Sequence, residues 1–110
     1  MVEKGMTLKK MKEEIGWAKQ QLLELGDIRP GSLTRQMRKA KKKYGGYWQL
    51  SYTHKGKGKT EYIRDANVRQ VKTEIANFKR YRKLMNRLID LSITLSQLKM
   101  NAGKEDNKDS

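Results

Sequence analysis

The strongest constraint on the fold is a long run of apolar residues at helical spacing in the last third of the chain. From Val68 to Leu98 these residues recur every three or four positions, which is the period of an amphipathic α-helix. A helix from Asp65 to about Met100 would be roughly 50 Å long at about 1.5 Å per residue. We therefore expect residues 65–100 to form one long helix with Asp65 as its N-cap.

The N-terminal segment carries a second helical pattern. Apolar residues from Leu8 to Leu25 follow the same spacing of three and four. Thr7 suits the N-cap of this helix, and Gly26 predicts its end. Two apolar seams in one short chain predict that the two helices either pack together or pair between subunits.

Between the two helical segments the pattern changes to alternation. Residues 47–54 alternate in the way that a half-buried β-strand requires. The glycine-rich segment 55–58 predicts a turn, and 59–64 predicts the returning strand. Residues 33–43 fit either a helix or a strand, and the local pattern leaves this choice open. The sequence thus predicts a sheet of two or three strands over about 33–64.

The predicted hairpin has an apolar side and a polar side. A four-residue turn pairs Leu50 with Ile63, and alternation then fixes the side of every other residue. The apolar side is expected to face a core, whereas the polar side offers hydrogen-bonding groups and two tyrosines. The apolar side comprises Trp48, Leu50, Tyr52 and Ile63, and the polar side comprises Tyr47, Gln49, Ser51, Thr53, Thr60, Tyr62 and Arg64.

The middle of the chain is strongly basic. Between Ile28 and Arg64 there are eleven Lys and Arg residues and a single acid, Glu61, whereas residues 1–27 hold equal numbers of bases and acids. The net charge of +14 exceeds the magnitude of roughly 2–8 that a small soluble domain needs. Such a field repels itself unless a polyanion is near, so we expect a surface that meets nucleic acid phosphates. A merely solvated, lysine-rich surface is the alternative.

The predicted site combines phosphate contacts from lysines with base contacts from the polar side of the sheet. A two- or three-stranded ribbon fits the major groove of DNA, where Gln and Arg make bidentate contacts to bases. The same charges and tyrosines would also serve an RNA-binding module that stacks single-stranded bases. The candidate residues are Arg35, Arg38, Lys39, Lys41, Lys42, Lys43, Gln49, Ser51, Lys55, Lys57, Lys59, Tyr62 and Arg64.

Several other classes of protein find little support in the sequence. The chain has no cysteine, so disulfides and thiolate metal sites are ruled out, and we predict no metal and no cofactor. The single histidine, His54, has no carboxylate partner nearby in sequence, and the acids are scattered, so we predict no catalytic activity. No apolar run approaches the ~20 residues that cross a bilayer, which predicts a cytoplasmic protein without membrane contact.

Four short motifs occur together in a recognisable order. They are RPGSL at 29–33, GYWQLSY at 46–52, KGK at 55–57 and NFKRYR at 77–82. This set resembles an uncharacterised family of small prokaryotic proteins that are often encoded beside transposases.

The resemblance covers about residues 28–98 and carries three implications. It favours a strand for 33–39. It links the chain to mobile elements, so that an adaptor binding a transposase-like protein through the helices is a further alternative. Members usually carry a cysteine cluster resembling a metal knuckle, and here a lysine-rich segment replaces it, so no metal site is implied for this chain.

Taken together, these patterns predict an α+β fold in which a small antiparallel sheet is flanked by an N-terminal helix and a long C-terminal helix. We expect a non-catalytic DNA-binding protein that forms a homodimer through the helical seams. The polar tail is expected to be disordered. The predicted segments are 1–27 for the first helix, 28–64 for the basic sheet, 65–100 for the long helix and 101–110 for the tail.

Overall fold

The computed structural model describes residues 7–37 and 46–106. Its elements are α1 (Leu8–Glu24), β1 (Ser32–Met37), β2 (Gly46–His54), β3 (Lys57–Ile63), a 3₁₀ turn (Asp65–Asn67) and α2 (Val68–Asp106). This is the predicted α+β class. The chain divides into two compact units. We call Gly26–Arg80 the sheet unit, and we call Met1–Leu25 together with Tyr81–Ser110 the helical unit.

The helical unit forms because the two predicted apolar seams pack against each other within one chain. α1 begins as predicted, since the Thr7 hydroxyl accepts a hydrogen bond of 3.1 Å from the backbone N–H of Lys10. Its buried residues meet the C-terminal part of α2, where Arg87 donates a hydrogen bond of 2.7 Å to Glu14. The core comprises Met11, Ile15 and Leu91, with Leu88, Leu95 and Leu98 packed against it.

The sheet unit contains a three-stranded antiparallel sheet in the order β1-β2-β3. Residues 32–37 form a strand rather than a helix, so the choice that local pattern left open is settled by pairing with β2. Leu33 lies opposite Leu50, and Met37 lies opposite Gly46. This pairing provides hydrogen-bond partners for the backbone N–H and C=O groups on one side of β1, and it turns Leu33 toward the core.

The hairpin between β2 and β3 has a tighter turn than the sequence predicted. Only Lys55 and Gly56 form it, with φ values of 53° and 77°, as a two-residue type I′ turn requires. Trp48 rather than Leu50 therefore lies opposite Ile63, and the predicted register is wrong by two residues. Because side chains alternate with a period of two, this shift leaves every residue of β2 and β3 on its predicted side, whereas Arg64 lies beyond the end of β3.

The core of the sheet unit lies between the sheet and the first part of α2. Leu50, in the central strand, is 0% exposed. It packs with Ile63 from β3 and with Val71 and Ile75 from α2. The apolar side of the hairpin thus faces a core, as predicted. Leu33, Trp48, Tyr52 and Val68 are partly buried around this cluster.

Both ends of the long helix differ from the sequence-based expectation. The chain enters a 3₁₀ turn one residue early, because Arg64 is extended and takes the cap position without a side-chain hydrogen bond. The prediction of Asp65 as N-cap is therefore wrong. At the other end α2 reaches Asp106, past Met100, because no proline interrupts this segment. Residues 107–110 lie outside the described ranges.

Candidate nucleic-acid interface

The side of the sheet opposite Leu50 and Ile63, which we call the outer face, carries only uncharged side chains in the described strands. Gln49 pairs with Thr34 on β1 and with Tyr62 on β3, and directly paired residues point to the same side. The rings of Tyr47 and Tyr62 lie 6.3 Å apart between centroids. The outer face comprises Ser32, Thr34, Gln36, Tyr47, Gln49, Ser51, Thr53, Thr60 and Tyr62.

Three of the predicted base-contacting residues meet on the outer face. Gln49 and Tyr62 are direct partners, and Ser51 lies one pair further along β2. Sequence reasoning missed their neighbours on β1, Thr34 and Gln36, which are linked by a hydrogen bond of 3.0 Å between their side chains. Only the pairing of β1 with β2 reveals these residues, and local pattern did not establish that pairing.

Arg35 does not join this group, although it was predicted to contact a groove alongside Gln49. It lies opposite Trp48, on the side of the sheet that α2 covers. Its guanidinium carbon is 5.5 Å from the centroid of the Trp48 ring, within the range of a cation–π interaction. The alternation of β1 explains this placement, because Arg35 shares a side with Leu33.

The other described cations also do not lie on the outer face. Lys57 and Lys59 are exposed on the edge strand β3, and Lys59 lies opposite Tyr52 on the inner side. Lys55 is in the hairpin turn, whereas exposed Arg64 follows β3 at the opposite end of the strand. Five predicted contact residues lie outside the described ranges: Arg38, Lys39, Lys41, Lys42 and Lys43.

The single acid of the basic segment is occupied within the fold. Arg29 and Glu61 form an ion pair of 2.6 Å, and the Tyr52 hydroxyl donates a hydrogen bond of 3.1 Å to the same carboxylate oxygen. The hydrogen bond from Arg29 lowers the pKa of Glu61. The guanidinium also lies 5.0 Å from the Tyr52 ring centroid. This cluster connects the chain before β1 to β3 across β2.

The Glu61 cluster predicts that the sheet unit loses stability in acid. Because the folded pKa of Glu61 lies below its unfolded value of about 4.3, the stabilisation is fully present above that value and is lost as the pH falls through the folded pKa. Both side chains are partly exposed, so we expect a modest effect. Urea unfolding from neutral to acidic pH should show a shallower pH dependence for Glu61→Gln than for the unmutated chain. Equal slopes for the two would contradict this role.

The remaining described cations of the interface form no ion pair with a described carboxylate. Among the described residues, no carboxylate forms an ion pair with Arg35, Lys55, Lys57, Lys59 or Arg64. Within the same ranges there is no group of three or more His, Cys, Asp or Glu side chains that would hold a metal ion. The arrangement therefore offers hydrogen bonds and positive charge.

Comparisons with protein-family models, with curated proteins and with solved structures find no match to this chain. The resemblance to a transposase-associated family therefore stays a prediction. Over residues 7–37 and 46–106, no helix combines the length and apolar character needed to span a membrane.

Proposed function

We propose that this chain is a non-catalytic DNA-binding protein that inserts the outer face into the major groove. One observation carries the proposal: an uncharged, hydrogen-bonding face belongs to a basic sheet whose turn and edge-strand cations Lys55, Lys57 and Lys59 have no ion-pair partner among the described residues. Neutral amides and hydroxyls suit contacts to base edges, whereas lysines and arginines suit phosphates. The sheet therefore offers both kinds of contact, with the uncharged side chains on its outer face and the cations at its turn and edge strand.

The width of the sheet also supports major-groove binding. Neighbouring strands lie about 4.8 Å apart, so the axes of β1 and β3 are separated by about 10 Å. The major groove of B-DNA is about 12 Å wide and admits a two-stranded β-ribbon, so two adjacent strands of this sheet fit within it. Gln49 lies on the central strand and would meet base edges, where an amide makes bidentate contacts to adenine.

An RNA-binding function is the second candidate, and the tyrosine pair favours it. Tyr62 is 63% exposed and its ring lies beside that of Tyr47. Bases of a single strand stack on such rings regardless of the base sequence. In this mode the tyrosines would dominate the affinity, and Gln49 would contribute little.

A competition experiment tests the proposed function and separates it from the RNA alternative. A labelled mixed-sequence DNA duplex is bound to the pure protein, and unlabelled duplex DNA or single-stranded RNA of the same sequence is added at low and at moderate salt. We expect the duplex to compete better, because the outer face offers side-chain groups for base edges in a groove and the basic segment offers cations for phosphates. Fluorescence anisotropy gives both competition constants. Preferential competition by the RNA would favour the second candidate, and no binding in dilute buffer would refute both.

The predicted link to mobile elements suggests a cytoplasmic protein associated with nucleic acid. If the chain is instead an adaptor for a transposase-like protein, its capture by that partner should survive nuclease treatment. Capture that is lost after nuclease would indicate that nucleic acid connects the two proteins, as DNA binding requires.

We also propose that two copies associate through a face of α2 in the helical unit. The predicted seams are already used within the chain, but a second apolar stripe remains exposed, with Ile89 at 47% and Ile93 at 53%. Between Leu88 and Leu98 the only charged residue is Asp90. Two chains of charge +14 would approach most easily at such a segment. The face forms a groove of about 590 Å³ that includes Met85, Ile89, Ser92, Ile93, Ser96 and Met100.

A charge introduced into this stripe should prevent dimer formation. For Ile93→Lys we expect the dissociation constant of the dimer to rise by more than about tenfold, because the ammonium group would be buried without a partner. Leu23→Lys is the matched control, since Leu23 lies on α1 and is 80% exposed. Sedimentation velocity measures both variants. A monomeric unmutated chain, or equal dimerisation of the two variants, would contradict the proposed face.

A further inference from the structure

The sheet unit contains a cleft on the α2 side of the sheet edge, which shares only Ser32 with the outer face. It has a volume of about 390 Å³ and lies where the chain enters β1 and passes the first part of α2. Gly31, Ser32 and Leu33 line it from the sheet, while Lys72 and Lys79 line it from the helix. Because β1 is an edge strand, the cleft is beside the sheet and not on its outer face.

The positive charge around this cleft is not neutralised by the described residues. The Lys72 ammonium lies 4.9 Å from the centroid of the Trp48 ring, to which Arg35 also approaches. Lys79 is two helical turns from Lys72 and so lies on the same face of α2. No described carboxylate forms an ion pair with any of these three cations. Cations gathered in this way repel each other and attract an anion.

The sheet side of the cleft is held in a fixed position. Gly31 has a φ of +135°, and a Cβ atom there would lie 2.7 Å from Leu50 Cδ1, so the chain is packed closely against the sheet. Just before it, the backbone N–H of Arg29 donates a hydrogen bond of 3.0 Å to the carbonyl of Glu74 on α2. The Asn77 side chain donates a second hydrogen bond, of 2.9 Å, to the carbonyl of Asp27. The backbone of residues 31–33 thereby forms a preorganised wall of the cleft.

We infer that this cleft binds a phosphate group of a nucleic acid backbone through Lys72 and Lys79. Two ammonium groups match a phosphodiester, which carries one negative charge and several acceptor oxygens. The inference rests on the proposed DNA-binding function. It extends that function, because the contact lies on the α2 side of the sheet edge and adds an anchor that the outer face does not supply.

The test compares the double variant Lys72→Gln and Lys79→Gln with a control that loses the same charge elsewhere. Lys9 and Lys12 are exposed on α1, so their double replacement by Gln is the matched control. For the cleft variant, the slope of log affinity for the duplex against log salt should become shallower by about 1.8. The affinity near ~0.1 M salt should fall roughly 10- to 100-fold. The control should keep the original values, and thermal unfolding should show that both variants fold.

A second measurement distinguishes a backbone phosphate from a free anion. The ¹⁵N-labelled chain is titrated with the duplex and, separately, with inorganic phosphate, while the amide signals of Gly31, Ser32 and Leu33 are followed. Shifts with the duplex that disappear in the cleft variant support the inference. The inference is overturned if the cleft variant binds the duplex with the same affinity and salt dependence as the control, even when inorganic phosphate shifts these signals.

Failure of the proposed function gives a different result. If the unmutated chain binds no duplex, the DNA-binding proposal is refuted, and only the phosphate titration then tests whether the cleft binds an anion. Shifts confined to Gly31, Ser32 and Leu33 would support an anion site in the cleft. Unchanged signals would refute that site.

Discussion

Replacement of Leu50 by alanine is expected to lower the free energy of unfolding of the sheet unit by about 2–5 kcal/mol. Leu50 is 0% exposed and belongs to the core with Ile63, Val71 and Ile75. It lies on the central strand, whose backbone pairs on both sides, so the surrounding atoms have little freedom to fill the cavity. A small domain has only about 5–15 kcal/mol of stability in total, and we expect the unit to approach its unfolding limit.

The two tryptophans allow this loss to be measured in the sheet unit alone. Trp17 lies on α1 and Trp48 on β2, so a Trp17→Phe background leaves Trp48 as the single fluorescent reporter beside Leu50. Urea unfolding of Leu50→Ala in this background gives the change in the free energy of unfolding of the sheet unit. Leu23→Ala is the control, because Leu23 is 80% exposed and its truncation should cost little. Equal midpoints for the two alanine variants would contradict the central role of Leu50.

Simultaneous replacement of Lys41, Lys42 and Lys43 by alanine is expected to produce the largest loss of DNA affinity. These lysines lie in the segment between β1 and β2, outside the described residues, and the prediction rests on the sequence. If each contacts a phosphate, the slope of log affinity against log salt should become shallower by about 2.7, and the affinity near ~0.1 M salt should fall roughly 100- to 1000-fold. Anisotropy titrations at several salt concentrations measure both quantities.

The control for this variant removes the same number of charges from another place. Lys9, Lys10 and Lys12 lie on the exposed side of α1, and alanine there keeps the helix. Both triple variants lower the net charge equally, so a nonspecific effect of total charge would weaken binding to the same extent in each. A salt slope that is unchanged in the 41–43 variant would show that these lysines do not contact phosphates.

The helices and the two sides of the hairpin could be predicted because their signals are local. Spacing of three and four identified α1 and α2, and alternation identified β2 and the side of each of its residues. The register was missed by two positions for a physical reason. A lysine with positive φ is uncommon, so the tight turn at Lys55 and Gly56 had no sequence signal that separated it from a four-residue turn.

Contacts between distant segments could not be predicted from the sequence. Arg29 and Glu61 are separated by 32 positions, and only the pairing of three strands brings them together. The same holds for Lys72, which reaches Trp48 because α2 packs on the sheet. The strand at 32–37 fitted two structures locally, so the polar residues that it adds to the outer face became visible only with its partner.

The uncharged outer face has a consequence for how such a protein would diversify. Long-range attraction to a polyanion depends on the net positive charge, which the outer face does not supply. If the outer face binds nucleic acid as proposed, exchange of Gln49, Ser51 or Thr34 would alter which target is preferred while the speed of encounter stays the same. Such a scaffold could then be redirected to new targets by a few neutral substitutions that leave the buried core untouched.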